Sequence, residues 1–141
     1  FEECGIKEGN VINDVGFTNF SRDELKDITP EIRSIIEESG VEEGCCHIFV
    51  PHTTAAVTIN EKADPNVPRD ISNSMEKIVP ANWGYTHSEG NSDSHIKSSM
   101  VGASELVLIR GGKPVLGTWQ AVFFCEFDGP RSRKCMARVS E

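Results

Sequence analysis

The sequence predicts one domain that combines helices with a sheet, and three observations carry that expectation. A chain of 141 residues is long enough to bury about two-thirds of its unfolded surface around a single core. Ile28, Ile32, Ile35 and Ile36 recur at helical spacing, the mark of a one-faced helix that must lie on an apolar surface. The stretch from Cys45 to Asn60 is instead β-branched and apolar, and Val115 to Phe127 alternates with period two, as strands do.

Taken in order, Val11 to Phe20 reads as a strand, and Asp27-Ile28-Thr29-Pro30-Glu31 announces the first helix. Thr29 can cap the exposed amides, Pro30 suits the first helical position, and Gly40 supplies the left-handed stop. Cys45 to Val50 reads as a strand that breaks at Pro51-His52, and another continues through Ala56 to Ile59. That places His52 at an irregularity of the kind that often aims a side chain into a site. A second helix runs from about Pro68 to Val79 with Ile71, Met75 and Ile78 on one face, and Pro80 ends it.

A short helical piece from Ser94 to Met100 carries His95 in its first turn, near amides that favour anions. Glu105 to Arg110, the turn Gly111-Gly112-Lys113 and Val115 to Phe127 read as a hairpin, and Cys135 to Val139 as a last strand. On the long strand Ala121, Phe123, Cys125 and Phe127 follow Trp119 on one face, opposite Gln120, Val122, Phe124 and Glu126. That second face is mixed in character and suits a pocket or an interface. Residues 2–9 echo residues 37–44, but a repeat architecture needs about three copies to stack.

Composition excludes several classes. No apolar run approaches the roughly 18 residues of a membrane span, and no basic-then-apolar leader pattern is seen, so the chain reads as soluble and cytoplasmic. A net charge of −8 disfavours a nucleic-acid partner, which would want a basic face, and points to a small molecule. The five cysteines form no Cys-x-x-Cys pair. Cys45 and Cys46 are adjacent on a strand and point to opposite faces, so the thiols read as reduced and structural.

His52, His87 and His95, out of four histidines in all, sit in polar settings. The stretch from Tyr85 to His95 holds Gly90, Asn91 and Asp93, a loop running into a helix start that can fold both rings onto one point. Neutral imidazoles suit zinc, and a catalytic zinc takes about three protein ligands with one open position. The spacing matches neither His-Glu-x-x-His nor a paired Cys-x-x-Cys. A shared metal or catalytic site and ordinary surface or capping histidines therefore both remain open, and His47 reads as the latter.

Other groups could assist. Asp128-Gly129-Pro130-Arg131-Ser132-Arg133-Lys134 is a turn followed by three cations in an acidic chain, an invitation to phosphate or carboxylate or else a solvated basic turn. Glu61, Asp64 and Asp70 follow the His52 strand and could orient a metal-bound histidine or act as a base, although a lone acid is more often solvated.

Four ordered blocks carry a family resemblance: Pro51 to Glu61 (PHTTAAVTINE), Tyr85-Thr86-His87 with Asn91 and His95, Leu116 to Gln120 (LGTWQ), and Asp128 to Arg133 (DGPRSR). They resemble the YjbQ family, also called UPF0047 or the secondary thiamine-phosphate synthase family. The resemblance runs from about Val11 to the C-terminus, includes Asp27-Ile28-Thr29, and leaves residues 1–10 as an extension. Ser94 stands where family members often carry alanine. The resemblance implies a compact α+β domain on a mixed, sandwich-like sheet with two main helices, commonly a homotrimer. It further implies His52, His87 and His95 as ligands of a divalent metal, zinc or alternatively magnesium, with Glu61, Asn91, Gln120 and Arg131 as neighbours.

The implied activity is a weak joining of a hydroxymethylpyrimidine diphosphate to a thiazole phosphate. On that reading His52, Glu61 and Arg131 are the catalytic candidates, Glu61 orienting a histidine or handling a proton. Asn91, Gln120, Arg131 and Arg133 would bind a phosphorylated substrate, with metal and arginine stabilising charge on the leaving diphosphate. A metal-dependent phosphoester hydrolase and a non-catalytic metal- or metabolite-binding trimer are the alternatives.

Overall fold

The computed structural model describes residues 11–141; the first copy of the internal echo and Cys4 lie outside them. The elements run β1 (Ile12–Thr18), β2 (Glu24–Asp27), α1 (Thr29–Ser39), β3 (Glu43–Phe49), β4 (Ala55–Glu61), α2 (Asn66–Ile78), α3 (Ser92–Val101), β5 (Ser104–Arg110), β6 (Lys113–Pro114), β7 (Gln120–Glu126) and β8 (Ser132–Ser140). One sheet has the order β1-β8-β3-β5-β6 and the other β2-β7-β4. This is the expected α+β domain with two layered sheets. Every strand pairing among the described residues is antiparallel, so the sheets are not mixed.

The core lies between the sheets and under α1. Val15, Cys46, Ile48, Val107, Ile109, Cys135, Ala137 and Val139 of the larger sheet meet Val57, Val122 and Phe124 of the smaller. Ile28, Ile32 and Ile36 of the helix segment are fully buried in the same cluster, each contributing roughly 1.5–3 kcal/mol. The α1 cap differs from the expected one. Ile28 is the N-cap residue and offers no side-chain cap; Asp27 Oδ1 accepts from the first helical amide, that of Thr29, at 2.9 Å, while Thr29 Oγ1 accepts from the Val122 amide at 2.8 Å and ties the helix to β7. Gly40 has φ 71°, as a helix stop requires.

The long hairpin does not form. β5 turns through Gly111 and Gly112 into β6 alone, and the chain then leaves that sheet. Gly117 and Gln120 close a turn, the Gly117 amide donating to Gln120 Oε1 at 2.8 Å and the Gln120 amide to the Gly117 carbonyl at 3.1 Å. β7 begins there as the centre of the smaller sheet, between β2 and β4. Both its faces are buried: Val122 and Phe124 in the main core, Cys125 in a second cluster with Ala56, Phe127, Leu25 and Val101. The mixed second face is thus core along most of its length.

α3 starts two residues before the expected Ser94. α2 starts at Asn66 rather than Pro68, and no side chain on it is fully buried. No helix among the described residues is long and apolar enough to cross a membrane.

Candidate functional site

The segment 79–91 links α2 to α3 and brings His87 against His95. Gly84 and Gly90 take φ of 65° and 78°, backbone values that favour glycine, and the Asn91 carbonyl accepts from the Ser94 and His95 amides at 3.0 and 3.4 Å to start α3. The two imidazoles meet edge to face with centroids 5.5 Å apart. They open on a pocket of about 420 Å³ lined by Tyr85, Thr86, His87, Ser92, His95 and Ile96, within the size range of small-molecule sites. Glu89 lies 3.9 Å from His87 Nε2.

His52 sits in the break between β3 and β4 and is not in the ring contact of the other two. Its Nε2 lies 3.0 Å from the Lys134 carbonyl and 3.2 Å from the Lys134 amide. Burial, then the nearby Arg133 charge, lowers its pKa below the ordinary 6.5. Arg133 itself is buried and spends its fork internally: Nε donates to Glu126 Oε1 at 2.7 Å, and Nη2 donates to Glu126 Oε2 and to Thr54 Oγ1. Glu126 also accepts from Asn19 Nδ2 at 2.6 Å and from the Phe127 and Asp128 amides. As placed, Arg133 anchors the polypeptide and biases His52 rather than facing a ligand.

Arg131 is more available. Its side chain is 52% exposed, with Nε on the Asp128 carbonyl at 2.7 Å and Nη2 on Asp128 Oδ2 at 2.8 Å. Asn91 Nδ2 donates to that same Oδ2 at 2.9 Å, so Asp128 joins Arg131 to the start of α3. Ser94 does more than replace a small residue, because its buried hydroxyl donates to the Phe127 carbonyl.

Glu61 and Gln120 stand opposite each other in the β4–β7 register, at the far end from the Ala55–Glu126 pair. Seven-residue strands span about 20 Å, which separates Glu61 and Gln120 from Glu126 and Arg133. Gln120 Oε1 is occupied by the Gly117 amide. Among the described residues no group of three or more His, Cys, Asp or Glu side chains is placed to hold a metal ion. The chain therefore brings two of the histidines into ring contact and leaves His52 on Lys134.

A charged cluster behind α3 was missed by sequence reasoning. Arg22 donates to both Asp93 oxygens at 2.9 Å. The Lys97 ammonium contacts Glu76 at 2.7 Å, Asp93 at 3.3 Å and Asp23 at 3.6 Å. Burial pulls the Lys97 pKa down, but Glu76, Asp23 and Asp93 outweigh it and hold the value above normal. The available signal was the Asp93 to Lys97 spacing of one helical turn, and for Glu126 an acid following Val122 and Phe124 on one strand face. Cys46 and Cys125 have pKa values pushed up by burial to about 12 and Cys135 to about 11, so these thiols stay protonated.

Two antiparallel sheets, a helix over their shared core and a histidine pair at a helix start define an α+β domain with a small open cleft. The family description that matches, over residues 14–141, is UPF0047 protein YjbQ-like. UPF0047 protein MJ1081 of Methanocaldococcus jannaschii is 58% identical over 118 residues, covering 84% of this chain and 86% of that protein. UPF0047 protein YugU of Bacillus subtilis is 46% identical over 121 residues, covering 84% and 90%. The fold is similar to the crystal structure of a yjbq/upf0047 family protein from Clostridium acetobutylicum, with TM-score 0.89 and 44% identity over 91% of this chain and 99% of that one. A YbjQ-like protein of unknown function from Sulfolobus solfataricus gives TM-score 0.88 at 32% identity, over 92% and 95%. The chain belongs to the YjbQ, or UPF0047, family.

Proposed function

We propose that the chain binds a phosphorylated small molecule at the His87–His95 pocket together with a divalent cation, as a cytoplasmic homotrimer. The observation that supports this best is the edge-to-face histidine pair opening on a pocket of about 420 Å³ at the start of α3. Imidazole nitrogens are good donors to zinc; a bound ion would neutralise charge on phosphate oxygens. Arg131, half exposed and oriented by Asp128, would take a phosphate oxygen. The Glu61–Gln120 pair lies at the far end of the β4–β7 register from Glu126, so a site using it together with the histidines would be shared between copies.

The reaction in this reading joins a hydroxymethylpyrimidine diphosphate to a thiazole phosphate. The thiazole nitrogen forms a bond to the pyrimidine methylene carbon as that carbon's bond to the diphosphate oxygen breaks, and the electron pair leaves with diphosphate. His87, His95 and Arg131 hold the leaving oxygens, and no proton transfer is needed at the bond that forms.

The test is elemental analysis and titration with inorganic phosphate for wild type, His52→Ala, His87→Ala and His95→Ala, each checked for folding. About one divalent ion per chain, lost with phosphate affinity in folded His87→Ala and His95→Ala, is expected. Full retention in both would overturn the reading. Turnover on the order of 1 per second with the two heterocyclic phosphates would support the synthase chemistry, whereas release of inorganic phosphate from simple esters would make the protein a hydrolase.

A further inference from the structure

The pocket has two walls on different elements: Tyr85, Thr86 and His87 come from the loop, and Ser92, His95 and Ile96 from α3. Its width therefore depends on what fixes the loop's ends. Inside the loop the Tyr85 hydroxyl donates to the Pro80 carbonyl at 2.6 Å and its ring meets Trp83 edge-on, while the Ala81 amide at the start of the loop reaches the Glu76 carboxylate. α2, which leads into the loop, contributes no fully buried side chain, so apolar packing alone holds its last turn weakly. Glu76 in that last turn is bound by Lys97, which also contacts Asp93 at the start of α3.

We propose that Lys97 is a positioning residue for the histidine pocket: by binding Glu76 on α2 and Asp93 on α3 it clamps both ends of the His87 loop and sets the spacing of His87 and His95. The chemistry of the clamp supports this role. Lys97 is 1% exposed and Asp93 fully buried, and a buried ion pair is seldom the most stable filling for such a place, since apolar residues of similar volume often match or exceed it. What an ion pair does provide is a defined geometry. Arg22 holds Asp93 from its other side with a two-pronged contact, and Asp23 approaches Lys97 from the β1–β2 connection, so the ammonium is located from three parts of the chain. The formal charges of Arg22, Asp23, Glu76, Asp93 and Lys97 leave the cluster with an acid in excess; Arg22 reaches Asp93 and Asp23, whereas Lys97 contacts all three acids and alone of the two cations reaches Glu76 on α2.

The inference rests on the proposed binding site only in its second readout. The first is free of any ligand: imidazole proton shifts of His87 and His95 by NMR in wild type, Glu76→Ala, Glu76→Gln and Lys97→Met. One ring's edge meets the other's face, so ring-current shifts respond to their spacing. Glu76 is 45% exposed and Lys97 keeps Asp93 and Asp23 without it, so Glu76→Ala is expected to fold; Glu76→Gln keeps an acceptor for the ammonium. The expected result is that Glu76→Ala and Lys97→Met move the histidine shifts toward those of isolated rings while core methyl shifts stay put, and Glu76→Gln restores most of the wild-type pattern. Inorganic phosphate should then bind roughly tenfold more weakly to Glu76→Ala than to wild type. Unchanged histidine shifts in a folded Glu76→Ala protein would overturn the clamp, even if wild type binds phosphate. If wild type binds no phosphate, the proposed site fails and the shifts alone decide the clamp. Should Lys97→Met not fold, Lys97→Gln takes its place, because Glu76 also accepts from the Ala81 amide and Glu76→Ala alone does not isolate Lys97; unchanged histidine shifts in folded Lys97→Gln would overturn the clamp.

Discussion

Replacing Arg133 by Met should destabilise the protein by about 3–5 kcal/mol, the usual cost of removing one partner from a buried ion pair. The guanidinium gives Glu126 two charge-assisted bonds and reaches the Thr54 hydroxyl and carbonyl, and Glu126 is fully buried. After the change Glu126 keeps Asn19 Nδ2 and two backbone amides, which holds the cost within that range rather than above it. For a domain of this size the loss is roughly 10–15 °C in Tm. Urea denaturation at fixed protomer concentration measures it, because any assembly makes apparent stability depend on concentration. Glu126→Gln with Arg133→Met removes the stranded charge and should recover most of the loss. A loss below about 1 kcal/mol for the single variant, the scale of an exposed pair, would refute the reasoning and return Arg133 to the candidate anion ligands.

Arg131→Ala removes an exposed pair with Asp128 and should change urea stability by less than about 1 kcal/mol while weakening phosphate binding in a titration. His52, with its pKa lowered below 6.5, is favoured neutral in the folded state. Its contribution is therefore complete above about pH 6.5 and declines as acidification passes through the unfolded and then the folded pKa; an imidazole NMR titration should show a midpoint below 6.5. Gly44→Ala would drive a Cβ into the Ser140 carbonyl and should cost about 1–3 kcal/mol or more by denaturation. Gly16→Ala, whose nearest neighbour is the Arg133 carbonyl at 4.0 Å, serves as the tolerant control.

The legible parts of the fold were those decided locally. α1 shows in the isoleucine spacing and in Gly40 because a helix stripe and its stop depend on residues a few positions apart. The failure at Val115 to Phe127 has the opposite cause: alternation is the same whichever sheet a strand joins, so nothing local says that β7 leaves β5 and pairs with β2 and β4. The site divides in the same way. His87 and His95 lie eight positions apart, on a loop entering a helix, and the structure brings their rings together. His52 meets Lys134 across 82 positions, and Lys97 meets Glu76 across 21; such contacts follow from tertiary packing and leave no spacing rule in the chain.

Polar burial is concentrated around one end of the smaller sheet. Asn19, Thr54, Asp93, Ser94, Lys97, Glu126 and Arg133 are all buried there, with Ser98 Oγ donating to the Ala55 carbonyl at 2.7 Å, while the shared core between the sheets is apolar. Solvation cost argues against placing ions in a protein interior, and the apolar packing under α1 shows that this chain can fill space without them. The charged groups instead fix relative positions: Glu126 and Arg133 hold the strand ends behind His52, Asp128 links Arg131 to Asn91, and Asp93 and Lys97 hold α3 behind His95. Each exposed candidate at this end is thus backed by a saturated, internally bonded acid or cation. That arrangement gives side chains reaching solvent a fixed support, so loss of a buried charge is expected to disturb their geometry as well as to lower stability.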